Sequence, residues 1–300
     1  MRKYEYPTND FVFKKLFDDQ HKNLLIDFIN NVLPDRKVKD VEHLPTNMLP
    51  DVRIQKQSIV DVLCTDENGS KYIIEMQTAK EKGFEKRAVY YASKTYAGQM
   101  NERDKYADLK DVVFIAITNF VMFPDKKDYV SIHEIRDVKT YEHDLKAFSF
   151  AFMELPKFDK EQDSFKGLDK WCDFFKNAGH RKQVETNDLI MREAYKVLDK
   201  SNWTKQELLD YEAYEKMIRD NQARDDQLID DGIMIGIEKG IEKGIEKGKI
   251  EGKIEGKIEG KNEGKIEKAI EIAKKMLAKD KSIDEIIEFT ELTEKQIEEL

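Results

Sequence analysis

The feature that most constrains the fold of this chain is a predicted β-hairpin over Ser58 to Gln77. Its two halves are rich in β-branched residues, and Asp66–Ser70 between them contains an Asn-Gly turn signal. A five-residue loop fixes the pairing of the strands, and this register places Asp61 opposite Glu75. Opposed carboxylates about 5 Å apart destabilise a strand pair. A purely structural role therefore does not explain why two acids stand opposite each other.

Alternation along the two strands sorts the hairpin side chains onto two faces. Asp61, Glu75 and Gln77 share one face, which is therefore predicted to be polar. The residues predicted for the apolar face are Val60, Val62, Ile74 and Met76.

A divalent cation held between the two acids would resolve their repulsion. Mg²⁺ takes oxygen ligands, typically one or two carboxylates together with waters and phosphate oxygens. Such a cation polarises a phosphoryl oxygen and activates a bound water, as phosphodiester hydrolysis requires. Asp61 and Glu75 are thus predicted ligands of Mg²⁺, or of Mn²⁺ or Ca²⁺. The spacing leaves a plainer alternative open, in which both acids are solvated on an edge hairpin.

Four further segments surround the hairpin in a characteristic order. They are Asn9–Phe17, Leu24–Asn30, Arg87–Tyr96 and Glu154–Phe158. Together with a Gly-rich tail, this order resembles the Rpn group of recombination-promoting nucleases, also called PD-(D/E)XK nuclease family transposases. The resemblance covers essentially the whole chain.

The resemblance implies a restriction-endonuclease-like fold and a metal site with named ligands. The superfamily holds its metal with an Asp on one strand and the acid of an (Asp/Glu)-x-Lys on the next, which Asp61 and Glu75 match. Gln77 stands in place of the Lys, as is usual in this group, and is predicted to position the attacking water or a phosphate oxygen. The main-chain oxygen of Met76 is a further ligand that the resemblance implies. The implied activity is DNA cleavage that promotes recombination, with links to mobile elements or phage defence.

A basic stretch follows the hairpin and is predicted to contact DNA. Although the net charge of the chain is −9, Lys80–Lys110 has eight basic residues against five acids. Helical spacing aligns Arg87, Tyr90, Tyr91 and Lys94 on one stripe, and Lys56 precedes the hairpin strand. An alternative is that the tyrosines of the stripe pack on the sheet while its basic ends reach solvent. The predicted substrate-binding residues are Lys56, Arg87, Tyr91, Lys94, Asp10 and Lys14.

Periodicity predicts an α/β fold with a mixed sheet, followed by helices. The apolar run Asp111–Thr118 reads as a buried strand after a helix over Phe84–Asn101, and Phe148–Leu155 as a later strand. The predicted domains are a nuclease core (1–160), a helical subdomain (161–230), a Gly-repeat helix or tether (231–266) and a small helical cap (267–300).

Composition excludes several classes of protein. The longest apolar run is too short for a membrane span, and the charged N-terminus lacks a signal-peptide core, so we expect a cytoplasmic protein. Two distant cysteines and scattered histidines argue against a zinc site. The chain shows no phosphate-binding Gly-rich loop before Lys-Ser/Thr, so no nucleotide cofactor is expected.

Glycine recurs at every fourth residue from Gly232 to Gly264, nine times, with Ile, Glu and Lys between. Each Gly within a helix costs nearly 1 kcal/mol relative to Ala, so an isolated helix is disfavoured. We expect residues 231–300 to mediate homo-oligomerisation, with a flexible tether as the alternative. The net charge of −5 over Lys281–Leu300 favours a protein contact over DNA binding there.

The sequence predicts a metal-dependent DNA endonuclease. Two alternatives stay open: an inactive DNA- or protein-binding assembly protein that oligomerises through its repeat, and a phosphatase or ribonuclease using the same metal site.

Overall fold

The computed structural model of the chain describes residues 3–48, 58–100, 102–160 and 165–300, without the side chains of 47–48 and 58–59. The strands are β1 (Val41–His43), β2 (Asn47–Met48), β3 (Ser58–Ile59), β4 (Val62–Asp66), β5 (Lys71–Gln77), β6 (Val112–Thr118), β7 (Val130–Glu134) and β8 (Phe148–Glu154). The α-helices are α1 (Asp10–Leu16), α2 (Lys22–Val32), α3 (Phe84–Ala97), α4 (Leu168–Asn177), α5 (Leu189–Leu198), α6 (Lys205–Leu277), α7 (Ile283–Thr290) and α8 (Glu294–Glu298).

Six strands form one mixed sheet in the order β1-β4-β5-β6-β8-β7. β5, β6 and β8 run parallel in its centre, while the outer pairs are antiparallel. The central strand β6 is buried along its whole length, as expected for a parallel strand covered on both faces. The predicted α/β class with a mixed sheet is confirmed.

The hairpin register is as predicted where β4 and β5 pair, because Thr65 lies opposite Lys71 and Cys64 opposite Tyr72. The first strand, however, does not run unbroken from Ser58. Residues 58–59 form β3, which pairs with β2, and the chain bends at Asp61 before β4 begins. The predicted continuous strand was wrong at this point, because the bend resets the alternation of side chains.

The bend also moves one predicted side chain to the other face of the sheet. The first core contains Val62 together with Ile74 and Met76, packed against α1, α2, α4 and α5. Val60 instead joins the second core, which lies under α3 and contains Ile73 and Phe114 among others. The prediction that Val60 shares a face with Val62 was therefore wrong.

The parallel strands end at one edge of the sheet. Gln77 of β5 is in register with Thr118 of β6, which is in register with Glu154 of β8. Because α3 connects β5 to β6, its N-terminus starts near this edge.

One compact unit comprises Met1–Glu215. It extends beyond the predicted nuclease core of residues 1–160, because α4 and α5 bury Trp171, Phe174 and Leu198 in the first core. The helices after residue 160 thus share a hydrophobic core with the sheet.

A second unit comprises Lys216–Leu300. The glycine repeat lies within α6, and the last turns of that helix pack with α7 and α8 around Ala273, Ile286, Leu292 and Ile297. The repeat is therefore helical here, and the predicted boundary at residue 231 lies inside a continuous helix. Within the described ranges, the chain contains no helix that is both long enough and apolar enough to cross a membrane.

Candidate active site

The candidate site lies where β5 extends past its neighbour in the sheet. β4 pairs with β5 only as far as Val62 opposite Ile74, so the last three residues of β5 have no β4 partner. The Asp61 carboxylate replaces the missing strand by accepting the backbone N–H of Met76 at 2.9 Å. Since the N–H and C=O of one strand residue point to the same side, the Met76 carbonyl faces the same edge as Asp61.

Glu75 lies on the face of the sheet that α3 covers. Its side chain is buried, with 5% of the residue exposed. One carboxylate oxygen, Oε1, is fully buried and has no hydrogen-bond partner among the described residues. Buried carboxylate oxygens are normally satisfied, so this one marks a position where a cation or donor group is expected.

Both carboxyl groups are hard to ionise. Burial raises the pKa of Glu75, and the neighbouring Asp61 charge raises it further. Burial likewise raises the pKa of Asp61, with a further rise from Asp10 that outweighs the opposing effect of Lys14. Like charges in a poorly solvated site raise the pKa of carboxyl groups in this way, and a bound cation lowers it again.

Asp10 and Lys14 of α1 join the site from the opposite face of the sheet. The Lys14 Nζ lies 2.9 Å from Asp10 Oδ1 and 3.6 Å from Asp61 Oδ1. The two α1 side chains are four residues apart, so they share one side of the helix. The structure therefore brings together Asp10, Lys14, Asp61, Glu75 and the Met76 backbone.

Gln77 is held in a polar cluster at the N-terminus of α3. Arg87 donates to Gln77 Oε1 and to Glu81, while Gln77 Nε2 lies 3.3 Å from Glu81 Oε1. The Arg87 guanidinium also lies over the rings of Phe84 and Tyr91. Arg87 thus fixes the orientation of Gln77, and its own side chain is anchored.

The remaining predicted substrate-binding residues lie in different places. Tyr91 is partly buried and packs against the second core. Lys94 lies at the far end of α3, beside Lys71 and Lys110 at the start of β5 and β6, and so is not brought to the Asp61–Glu75 pair. Lys56 lies outside the described residues.

Sequence reasoning missed Tyr214 of α6. Its ring packs against Phe11, and its hydroxyl lies in the field of Asp10 and Asp61; burial, followed by Asp10, raises its pKa. No local motif marks this residue, because it reaches the site only through the packing of α6 on α1.

The residues present fit a divalent cation of the Mg²⁺ type. Across the described ranges no three His, Cys, Asp or Glu side chains are grouped to hold a metal ion by themselves. Two carboxylates and a backbone carbonyl nevertheless match the sparse protein ligation of Mg²⁺, which keeps waters and takes substrate oxygens. The unpartnered Glu75 oxygen is the observation that supports this fit.

Comparison with known proteins gives one match. A family model described as PD-(D/E)XK nuclease family transposase matches residues 7–227. The chain belongs to this family. No curated protein and no solved structure matches the chain.

Family membership confirms the predicted family and the restriction-endonuclease-like α/β fold. It indicates a nuclease-type hydrolase, and PD-(D/E)XK nucleases generally use divalent metal ions. The matched range contains every residue of the candidate site. Gln77 stands where the (Asp/Glu)-x-Lys pattern that gives the superfamily its name has Lys.

Proposed function

We propose that this protein is a metal-dependent DNA endonuclease that hydrolyses phosphodiester bonds. The observation that carries the proposal is the buried, unpartnered Glu75 Oε1 beside Asp61, at the edge where the parallel strands end. Two neighbouring buried carboxylates are costly to ionise in a folded protein unless a cation compensates their charge. The family match supplies the reaction class.

Asp61, Glu75 and the Met76 carbonyl would hold Mg²⁺, or Mn²⁺ or Ca²⁺. When bound, the cation supplies Lewis-acid activation of a phosphoryl oxygen and of the attacking water. Asp61 has a second task, because the same carboxylate fixes the end of β5 through the Met76 N–H.

The surrounding residues bind and orient the DNA strand. Gln77, held by Arg87, positions the water or a phosphate oxygen. Asp10 and Lys14 border the site from α1, and Tyr91 lies beside Arg87. Lys94 contacts DNA phosphates away from the two acids, where its charge contributes to affinity, and Lys56 is a further proposed phosphate contact.

We further propose that cleavage promotes recombination in the cytoplasm, linked to mobile elements or phage defence, and that residues 231–300 mediate homo-oligomerisation. The long helix with exposed isoleucines supports the second statement.

Cleavage of supercoiled plasmid tests the function. The purified protein is incubated with Mg²⁺, Mn²⁺, Ca²⁺ or EDTA, and wild type is compared with Asp61→Asn and Glu75→Gln. Glu42→Gln, an exposed glutamate on β1, is the matched control. We expect metal-dependent nicking that falls by at least about 100-fold in both site variants and is unchanged in the control.

Three results would contradict the proposal. Equal cleavage by wild type and both site variants would mean that the acids are not the site. No cleavage with any metal would favour the assembly protein, and cleavage of RNA or phosphate monoesters but not DNA would favour the third alternative.

A further inference from the structure

Residue 77 leaves the candidate site without the positive charge that the (Asp/Glu)-x-Lys pattern provides. Gln77 is neutral, and both ends of its amide are engaged by neighbouring groups, Oε1 by Arg87 and Nε2 by Glu81. Phosphodiester hydrolysis builds negative charge on the phosphoryl oxygens, and a fixed cation near them lowers that barrier. Beyond the bound cation, a fixed positive charge at this position can come only from another side chain.

The nearby cations differ in whether they can do so. Arg87 is committed to Gln77 and Glu81 and is covered by the rings of Phe84 and Tyr91. Lys15 is paired with Glu207, and the Lys80 ammonium lies 3.5 Å from the Val121 carbonyl. Neither lysine contacts a carboxylate of the pair. The Arg87 charge favours the ionised form of Glu75, but the Arg87 Nε, which has no partner among the described residues, is fully buried, so a substrate cannot reach it.

Lys14 differs because its ammonium faces the pair directly. Its Nζ lies 3.6 Å from Asp61 Oδ1, and the side chain is 42% exposed, so a substrate can reach it. Asp10, one helical turn earlier, orients it through contacts of 2.9 and 3.0 Å. A lysine has three donors, and the 3.6 Å separation from Asp61 is longer than a hydrogen bond, so a donor that Asp10 does not use is open to a phosphate oxygen.

The geometry points to Lys14 as the catalytic cation, supplied from α1 in place of the lysine that β5 lacks. Its ammonium donates to the scissile phosphate while Asp10 holds it beside Asp61. This inference rests on the proposed nuclease function. A compact ammonium at the end of a flexible stem suits this role, because it tolerates delivery from a different element.

Moving the charge back to β5 tests the inference. Single-turnover cleavage is measured for wild type, Lys14→Gln, Gln77→Lys and the double variant Lys14→Gln/Gln77→Lys. We expect Lys14→Gln to cleave about 100-fold more slowly. The double variant should cleave at least tenfold faster than Lys14→Gln. Lys22→Gln, which removes a charge at the start of α2, is the control and should cleave like wild type.

Two readouts without cleavage separate catalysis from structure. The rise in melting temperature with Mn²⁺ should be nearly unchanged in Lys14→Gln because the acids remain, and DNA binding in EDTA should weaken only by the loss of one phosphate contact. If that variant loses the Mn²⁺ response, or if Gln77→Lys restores nothing, Lys14 acts only by supporting Asp61 and the inference is overturned. Wild-type cleavage with an equally active Lys14→Gln overturns this inference alone, whereas an inactive wild type overturns the proposed function.

Discussion

At the scale of single residues, the cost of ionising Glu75 and Asp61 shapes the site. Burial deprives both carboxylates of water and raises the pKa of each; the Asp61 charge raises the pKa of Glu75 further, and Asp10 raises that of Asp61. The Met76 N–H partly stabilises the negative charge of Asp61, whereas Glu75 Oε1 has no hydrogen-bond donor among the described residues. The pair is thus prepared to bind a cation at the expense of the stability of the metal-free protein.

This cost predicts a pH dependence of stability without metal. In the unfolded chain Asp and Glu titrate near pH 4. Because the folded pKa values are raised, the folded state binds more protons above that pH, so the free energy of unfolding falls as pH rises through the folded pKa values. In EDTA, the melting temperature should fall between pH 5 and 8.5, and less so in Glu75→Gln.

Glu42→Gln serves as the control and should follow wild type across the pH range. Added Mn²⁺ should stabilise wild type more at pH 8.5 than at pH 5, because the cation binds the ionised carboxylates and displaces protons. A Glu75→Gln protein with the wild-type pH dependence would show that this carboxyl is not the group responsible.

Strand alternation, a local property, predicted Glu75 and Gln77 on one face of β5, but Asp61 reaches the end of β5 through the bend before β4 and not through alternation. The sequence placed Arg87 and Lys94 on one side of a helix, as α3 has them. It could not show which end of that helix lies at the site. The two residues are separated by about 10 Å along the helix, and only Arg87 lies at the site. No local sequence pattern indicated Tyr214, because its approach to Asp10 depends on tertiary packing.

At the scale of elements, the ends of the parallel strands are fixed by a buried carboxylate on β8. Glu154 is fully buried; its Oε2 accepts from the backbone N–H groups of Met122 and Phe123, and its Oε1 pairs with Lys157 at 2.7 Å. These contacts hold the segment after β6 against the end of β8. The sequence contained this residue in a characteristic segment but did not indicate its structural task.

Replacing Glu154 should therefore destabilise the fold. Glu154→Gln leaves the Lys157 ammonium buried without a counter-charge, a change that typically costs about 3–5 kcal/mol. Urea unfolding should show this loss, while Glu42→Gln should stay within about 0.5 kcal/mol of wild type. The double variant Glu154→Gln/Lys157→Met should recover part of the loss, and a Glu154→Gln protein of wild-type stability would refute the structural role.

Pairing of β4 with β5 was predictable because the Asn-Gly turn and loop length set the register. The break at Asp61 was not, since Ser58–Thr65 contains no Gly or Pro and has β-branched residues on both sides of Asp61. The break arises where Asp61 leaves the ladder and uses its side chain to satisfy the Met76 N–H.

At the scale of the whole molecule, the glycine repeat requires an explanation outside its own helix. None of the nine repeat glycines has an atom beyond its own helix backbone within 4 Å of an added Cβ, and Ile245, Ile250 and Ile254 are each 54% exposed. The four-residue period also places like charges one turn apart, which weakens an isolated helix. The ion pair Lys247–Glu251 occurs where the spacing of the isoleucines changes from four residues to five, between Ile245 and Ile250, while the glycine period is kept.

We predict that the full chain self-associates through this helix. Sedimentation should show dimers or larger species at about 10 μM, dissociating on dilution with loss of helical circular dichroism. Replacing Ile245, Ile250, Ile254 and Ile258 by Gln should give a monomer of lower helicity, because the exposed apolar row is lost. Leucine at the same four positions is the matched control and should preserve association. A fully helical monomer at all concentrations would contradict the prediction.

The repeat was evident from the sequence because its period is strict, but its helical state was not, because the glycines disfavour a helix while Glu and Lys favour one. Which surface covers it is not encoded locally, since a period of four specifies rows on a helix but not their partner.

The most direct test of the central claim is Mn²⁺ binding in the absence of DNA, measured from the electron paramagnetic resonance signal of the free ion. The account predicts that wild type removes Mn²⁺ from solution at a site that Asp61→Asn and Glu75→Gln lose. The exposed-residue controls Glu42→Gln and Asp108→Asn should retain it. Equal Mn²⁺ binding by wild type and both site variants would show that these two carboxylates do not hold the cation.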